Sequence, residues 1–359
     1  MVGRCSEMSR FQISSSHGNY EVAIHSGALN DVTPSRALLL DPNIAHTLQT
    51  NSERVIEIPG GEESKTLSYC ETVLVEMRNS GITKSDHVSA VGGGVIQDVA
   101  TLVTSLYMRG IEWTYVPTTL MSMADSCIGG KSSINAGGMK NLVGNFYPPK
   151  QVLVDTVFIE TLSREAIVSG LAEAVKICFA KGENEFEKFI SSSASIRPGN
   201  NDETADLIAH TLLCKKWFIE VDEFDKKERK LLNFGHSFGH AWEAACDFKI
   251  PHGAGVAAGV LAALNHPKSA KTSSTLELGR YCRTILESIS ETVIHARDNT
   301  DWNKFESALS ADKKNSRECM RLILPASGGS VEVVDIELNE ANLRVARDSM
   351  EEVLEGFSK

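Results

Sequence analysis

The chain has 359 residues, 42% of them hydrophobic and 23% charged, the proportions of an ordinary soluble globular protein long enough for two domains. A formal net charge of −11 argues against nucleic acid or an anionic membrane surface as the main partner, so an anionic small molecule would need a local cluster of cations. The eight cysteines show no Cys-x-x-Cys spacing, no run reaches the length of a membrane span, and the first residues lack an apolar signal core. These features predict a cytoplasmic protein with reduced thiols, Cys127 standing apart because it sits inside a motif.

In chain order, Phe11 to Ile24 alternates weakly and reads as an edge strand or hairpin. Ala37 to Leu40 is a short apolar run closed by Asp41 and then Asn43, the pattern of a buried parallel strand whose polar carboxyl end faces a crevice. Ile44 to Thr50 begins a helix, and Arg54 to Pro59 is a further strand. Gly60-Gly-Glu62-Glu-Ser-Lys65-Thr66 then opens a helix that runs to Arg78. Asp86 to Val91 is the next strand, and it enters Gly92-Gly93-Gly94-Val95-Ile96-Gln97-Asp98 and an apolar helix. Strands alternating with helices, with glycines at a strand-to-helix junction, predict a parallel sheet that binds a nucleotide at its carboxyl edge. The triplet is not the G-x-G-x-x-G fingerprint. It suits a tight turn of positive φ as well as a place where backbone N–H groups approach a pyrophosphate.

Ile111 to Leu120 is a fourth strand ending in the hydroxyl pair Thr118 and Thr119. The Gly/Ser-rich segment from Asp125 to Leu142 carries Lys131 and Lys140 and reads as a substrate or cofactor loop. After a strand from Val152 to Asp155 the character changes. From Arg164 onward the periodicity is helical, with Ser191 to Asn201 as a loop and Glu220 to Arg229 as a charged, solvated turn. The expected architecture is an α/β N-terminal domain with a Rossmann-like parallel sheet over 1–160, followed by an all-helical C-terminal domain over 161–359.

The helical half holds a concentrated set of metal-ligating side chains. His236 and His240 share a face if Phe234 to Ala245 is helical, and His252 follows at an Ile-Pro turn. Glu173 and Lys176 fall on one face of an otherwise apolar helix, an odd place to bury two charges without a use for them. Two imidazoles and a carboxylate can hold a divalent metal, and Glu173 is the nearest carboxylate candidate. The plainer alternative is a core histidine pair and a surface ion pair.

Several motifs recur in order: Gly92-Gly-Gly-Val-Ile-x-Asp98, Arg109-Gly110, Val116-Pro-Thr-Thr-Leu120, Asp125-Ser-x-Ile-Gly-Gly-Lys131, Lys140-Asn141-Leu142 and Gly170-Leu-Ala-Glu173-x-x-Lys176. Leu231-Leu-Asn233-x-Gly-His236-x-x-Gly-His240-Ala and His252-Gly253 complete the set. Together they make the chain resemble the 3-dehydroquinate synthases of the sugar-phosphate cyclase family across most of residues 37 to 262. Asp312-Lys-Lys-Asn315 and Leu322-Ile-Leu-Pro325 extend the match. As a set the motifs are highly specific, and none would convince alone.

The resemblance implies zinc (or cobalt) held by Glu173, His236 and His252. It implies that His240 binds the substrate phosphate with Asn141, Arg229, Asn233 and a lysine of the 313–314 pair, Lys314. Asp125, Lys131, Lys176 and Lys215 would surround the carboxylate and ring hydroxyls. Arg109 matches an arginine that serves the neighbouring subunit's site, which implies a homodimer. NAD would lie along Asp41, Asn43, Glu62, Lys65, Gly93, Gly94, Val95, Asp98, Thr118, Thr119, Lys140, Phe158, Thr161 and Leu162.

The implied reaction is a carbon–oxygen lyase step of the shikimate pathway. It cyclises 3-deoxy-D-arabino-heptulosonate 7-phosphate to 3-dehydroquinate and releases phosphate, with NAD recycled. A keto-acid phosphate needs separate cations for its two anionic ends, which Lys131, Lys176, Lys215 and Arg229 supply. The alternatives are another sugar-phosphate cyclase, of the amino-dehydroquinate, sedoheptulose 7-phosphate or glucose phosphate type, a metal-dependent polyol dehydrogenase, and a non-catalytic paralogue. Four positions depart from the family pattern. Gln97 replaces a glycine, so that either its side chain faces the pyrophosphate or its φ is ordinary. Ala254 replaces a glutamate, which implies a missing hydrogen-bond partner behind the ligands. Ala166 stands where an acid is often found near the adenosine, and Phe224 replaces an arginine. The expected effect falls on NAD binding before chemistry.

Overall fold

Alternating burial in the first strand and runs of buried residues in the central ones decide the sheet. A computed structural model describes residues 9–32, 35–47, 54–137, 139–194, 200–312, 315 and 318–357. They form two compact units, Met1–Leu162 with Ser195–Phe224, and Ser163–Ala194 with Asp225–Lys359.

In the first unit, Ser9–Ile13 (β1) and Tyr20–Ile24 (β2) form the expected hairpin, Phe11 opposite Val22. The chain continues through Ala37–Leu40 (β3), Val55–Glu57 (β4), Leu67–Asn79 (α1), His87–Gly92 (β5), Gly94–Leu106 (α2) and Glu112–Pro117 (β6). A short antiparallel pair, Ile134–Ala136 (β7) and Met139–Val143 (β8), precedes Gln151–Val154 (β9). Seven strands make one sheet in the order β1-β2-β9-β6-β5-β3-β4, and every pairing beyond β1–β2 is parallel. All four residues of β3 are buried, as an apolar run inside a parallel sheet requires.

From β3 the chain moves outward to β4 and then crosses to the other side of β3 for β5, β6 and β9. The order reverses between β3 and β5, and the carboxyl ends of strands at such a reversal are the usual nucleotide position in parallel sheets. Asp41, Gly92 to Gly94, and Thr118 with Thr119 stand at those ends. Two expectations change here. The helix read from Ile44 is a 3-10 turn over Pro42–Thr47, and residues 48–50 lie outside the described residues. The loop read from Asp125 to Leu142 opens within a π-turn, Ser122–Ser126, and then folds into β7 and β8.

Arg164–Lys181 (α3) and Glu183–Ser193 (α4) begin the second unit, whereas Asn201–Val221 (α5) groups with the sheet, packing on β1, β2 and the π-turn. The second unit continues with His236–Ala245 (α6), His252–Asn265 (α7), Ser273–Glu287 (α8), Ser290–Asp298 (α9) and Trp302–Ser310 (α10). It ends with Cys319–Pro325 (β10), Val331–Glu337 (β11) and Glu340–Glu355 (α11). Among its described residues the region expected to be all-helical also holds an antiparallel strand pair, β10–β11. Gly253 to Leu264 of α7 are all buried, so this helix is apolar on every side, with α3, α6, α8 and α11 against it. Among the described residues no helix is long and apolar enough to cross a membrane, and the seven described cysteines are free thiols.

Candidate functional site

In the second unit, α3 carries Glu173 and Lys176 one turn apart, 1% and 2% exposed, and the two side chains form an ion pair. The other oxygen of Glu173, Oε1, lies 3.6 Å from Nε2 of His236 and 3.3 Å from Nε2 of His252. His236 is the first residue of α6 after Gly235 (φ 76), and His252 is the first residue of α7 after Pro251. Both helices therefore present an imidazole from their first turn. The expected start of α6 at Phe234 moves two residues on, because the left-handed Gly235 breaks the helical path.

Hydrogen bonding sets the ring orientations. Nδ1 of His236 meets the carbonyl oxygen of Phe234 at 3.2 Å, and a carbonyl only accepts, so this nitrogen carries the hydrogen and Nε2 keeps its lone pair. Nδ1 of His252 donates to Oε1 of Glu243 at 2.9 Å. Both Nε2 atoms thus converge on one carboxylate oxygen, which suits a divalent cation, and a carboxylate behind the second ring fixes its tautomer. His240 joins them: the ring nitrogens of His236, His240 and His252 lie within 4.8 Å of one another. Burial lifts the Glu173 carboxyl, but the Lys176 ammonium and His252 outweigh it and hold the group well below the usual carboxylate range. Burial also disfavours the charged His252 ring, yet its bonds to Glu173 and Glu243 carry its pKa up to about 10.

Glu243 corrects the expectation that Ala254 leaves the ligands without an outer partner. It stands two turns after His236 on α6, so the signal was its i+7 spacing, and it is 8% exposed. A Cβ on Gly255 would come 2.8 Å from Oε1 of Glu243, so glycine at that position leaves room for the carboxylate. Arg229 (buried) and Asn233 lie on the 3-10 segment Glu228–Asn233 leading into α6, with Nδ2 of Asn233 donating to the Lys230 carbonyl at 3.0 Å. Lys314 lies outside the described residues.

In the first unit a polar network lies near the carboxyl edge of the sheet. Lys65 Nζ pairs with Asp98 at 2.9 Å and Glu62 at 3.8 Å, and donates to Oδ1 of Asn141 at 3.4 Å. Asn135 ties the strand pair to it, donating to Glu62 at 2.8 Å and accepting the Asn141 N–H at 2.8 Å. Burial raises the Asp98 carboxyl to about 6 against the opposing Lys65 charge. Asp41 accepts the Asn43 N–H at 3.0 Å. Gly93 caps α2 without a side-chain hydrogen bond, and a Cβ on Gly94 would meet nothing within 4 Å, so the start of this helix is open to close approach. Val95 is half-buried, Thr118 buried and Thr119 half-buried behind them, while Lys140 is exposed on β8. Phe158 is buried, and its carbonyl accepts the Thr161 hydroxyl at 2.8 Å in the turn that Leu162 closes.

Asp125 and Lys215 form a second pair, Oδ1 to Nζ 2.7 Å, and Lys131 lies over the Phe146 ring at 5.9 Å, which Phe224 meets edge-on. Cys127 is not an activated thiol: burial pushes it up to about 12. Gln97 has an ordinary helical backbone inside α2, and its buried carboxamide turns to Ser126. Ala166 sits in the first turn of α3, its N–H capped by Ser163 at 3.3 Å. Arg109 is exposed, and with Met108 it forms two consecutive left-handed residues, φ 63 and 48, before Gly110 at φ 102.

The family model described as 3-dehydroquinate synthase N-terminal matches residues 55–169, and the one described as 3-dehydroquinate synthase C-terminal matches residues 170–315. A 3-dehydroquinate synthase from Dictyoglomus thermophilum is 34% identical over 293 residues, 80% of each chain. Among solved structures, 2-deoxy-scyllo-inosose synthase complexed with carbaglucose-6-phosphate, NAD+ and Co2+ has a TM-score of 0.81 at 21% identity, covering 96% of this chain and 99% of that one. The 2-epi-5-epi-valiolone synthase from Streptomyces hygroscopicus with NAD+ and Zn2+ bound has a TM-score of 0.76 at 21% identity, covering 99% of each chain. At these identities the two structures speak for the fold.

Proposed function

We propose, from the premise that the chain belongs to the 3-dehydroquinate synthase family, that it cyclises 3-deoxy-D-arabino-heptulosonate 7-phosphate to 3-dehydroquinate with release of phosphate. The observation that carries the reading is the convergence of two imidazole Nε2 atoms on Oε1 of a buried carboxylate whose other oxygen pairs with a buried lysine. Glu173, His236 and His252 would hold zinc or cobalt, and the glycine turn before α2, with Asp41, Lys65 and Asp98, would hold NAD. When bound, the cation supplies Lewis-acid polarisation of a substrate oxygen and NAD supplies a reversible hydride acceptor.

The protein's own groups then have separable tasks. Lys176 balances the charge of Glu173 and places a cation beside the reacting hydroxyls. Lys131 and Lys215 would bind the carboxylate end, with Asp125 orienting Lys215. Arg229, Asn233, His240, Asn141 and Lys314 would receive the phosphate, a His240 ring N–H donating to it. Arg109 would serve a partner subunit in a cytoplasmic homodimer. Its support is the left-handed pair Met108–Arg109, a conformation costly enough to suggest a use.

The test is to incubate the protein, NAD and zinc with the keto-acid phosphate and follow inorganic phosphate and NADH together. Phosphate release without net NADH is the expected result. NADH accumulation without phosphate would overturn the reading in favour of a polyol dehydrogenase.

A further inference from the structure

Helix α2 carries a side chain that a nucleotide turn does not require. Gln97, 5% exposed and one residue before Asp98, makes two bonds to a single residue. Its Nε2 donates to the Ser126 carbonyl at 2.6 Å, and the Ser126 hydroxyl donates to its Oε1 at 2.5 Å. Ser126 closes the π-turn Ser122–Ser126, after which Gly129 and Gly130 carry the chain away at φ 96 and 61. The last carbonyls of the turn are met by side chains, as helix ends require when the backbone departs. Gln97 meets Ser126, while Lys215 Nζ donates to the Asp125 carbonyl at 2.5 Å and the Ile128 carbonyl at 3.3 Å, besides pairing with the Asp125 carboxylate at 2.7 Å.

We propose that Gln97 is a positioning residue, which clamps Ser126 from α2 and thereby holds the neighbouring Asp125–Lys215 pair in register for the substrate. The proposal rests on the reading of that pair as substrate-binding groups. A carboxamide carries a donor group beside an acceptor, the complement of the carbonyl and hydroxyl of Ser126. Glutamate loses the donor, methionine loses both, and glycine leaves the turn to water. Because Ser126 and Asp125 share a peptide unit, loosening one displaces the other. A displacement near 1 Å at a binding group is enough to cost up to about 100-fold in rate.

The experiment is a double-mutant cycle in the NAD- and zinc-loaded protein with the keto-acid phosphate as substrate, combined with labelling of Lys215 by an acylating reagent read by peptide mass spectrometry. Gln97→Met should lower kcat about tenfold while KM stays within about threefold, and it should add less than about twofold in a Lys215→Met background, because the two changes act on one unit. Lys215 labelling should quicken about fivefold or more in Gln97→Met, since an ordered buried amine has become mobile. Ser126→Ala removes one of the two bonds and should show the same signs at about two- to threefold, which keeps the question open to test if Gln97→Met does not fold. Independent, multiplicative losses in the cycle would overturn the proposal, and so would unchanged Lys215 labelling. If wild-type protein releases no phosphate, the functional reading fails alone, and the labelling still decides whether Gln97 holds Lys215.

Discussion

Nδ1 of His252 and Oε1 of Glu243 meet at 2.9 Å, and the same ring turns Nε2 to Glu173 at 3.3 Å. One imidazole thus joins two carboxylates from α6 and α3, and its donor direction is fixed before any cation arrives. Replacing Glu243 by Gln keeps the volume but removes the charge that raises the ring's basicity. Zinc affinity of Glu243→Gln should fall about 10- to 100-fold, as outer partners of metal-bound histidines generally show. Competition with a chromogenic chelator measures it, and unchanged affinity would remove Glu243 from the site.

Loss of a ligand should be more severe. His236→Ala is expected to lose bound metal and phosphate release together, with near-native circular dichroism showing that the loss is not one of fold. Full activity in a metal-free His236→Ala protein would refute the ligand assignment.

Glu173 also has a structural role that can be read without metal. Glu173→Gln leaves the Lys176 ammonium buried without its carboxylate, which should destabilise the metal-free protein by about 3–5 kcal/mol. Glu173→Leu combined with Lys176→Met should recover most of that loss in urea denaturation, because the desolvation of both charges disappears with them. A double variant as unstable as Glu173→Gln would argue that packing, rather than charge, dominates at this position.

Close approach of α6 to α7 makes the position of His236 sensitive to a single methyl group. A Cβ on Gly259 would come 2.1 Å from the Gly235 carbonyl oxygen and 2.6 Å from the Gly239 nitrogen, residues that bracket His236. Gly259→Ala should cost about 1–3 kcal/mol of stability through overpacking. Zinc affinity should fall in parallel because His236 moves with α6. Stability loss with unchanged zinc binding would show that the helices absorb the strain away from the site.

Acid sensitivity should come partly from His266, which ends α7 at 3% exposure and accepts the Lys268 N–H at Nδ1, 3.3 Å away. Burial first, then Lys268 and Lys271, lower its pKa from 6.5 to about 4. Between these values the unfolded chain binds a proton that the folded chain does not, so stability falls as pH drops from 6.5 towards 4. The loss should reach about 3 kcal/mol. Denaturant midpoints at pH 7 and 4.5 should differ less in His266→Gln than in wild type. An equal difference would assign the acid sensitivity to other groups.

The amino-acid sequence determined the elements that depend on local pattern. The run Ala37 to Leu40 read as a buried parallel strand, and the glycines after β5 marked a strand-to-helix junction while leaving a tight turn and a backbone approach to a ligand equally open. Motif order was enough to place the family, and the charged pair on an apolar helix pointed to Glu173. Tertiary packing decided which groups answer one another. Glu243 became the partner of His252 because α6 and α7 approach closely enough for a carboxylate at i+7 to reach a ring at the start of the next helix. Gln97 turned to Ser126, and α5 grouped with the sheet although Ser163–Ala194 intervenes in the chain, and neither choice leaves a periodic trace. Periodicity records which face of a segment is dry, whereas the partner of a buried polar group is chosen by contacts between distant segments, where donors, acceptors and space must coincide.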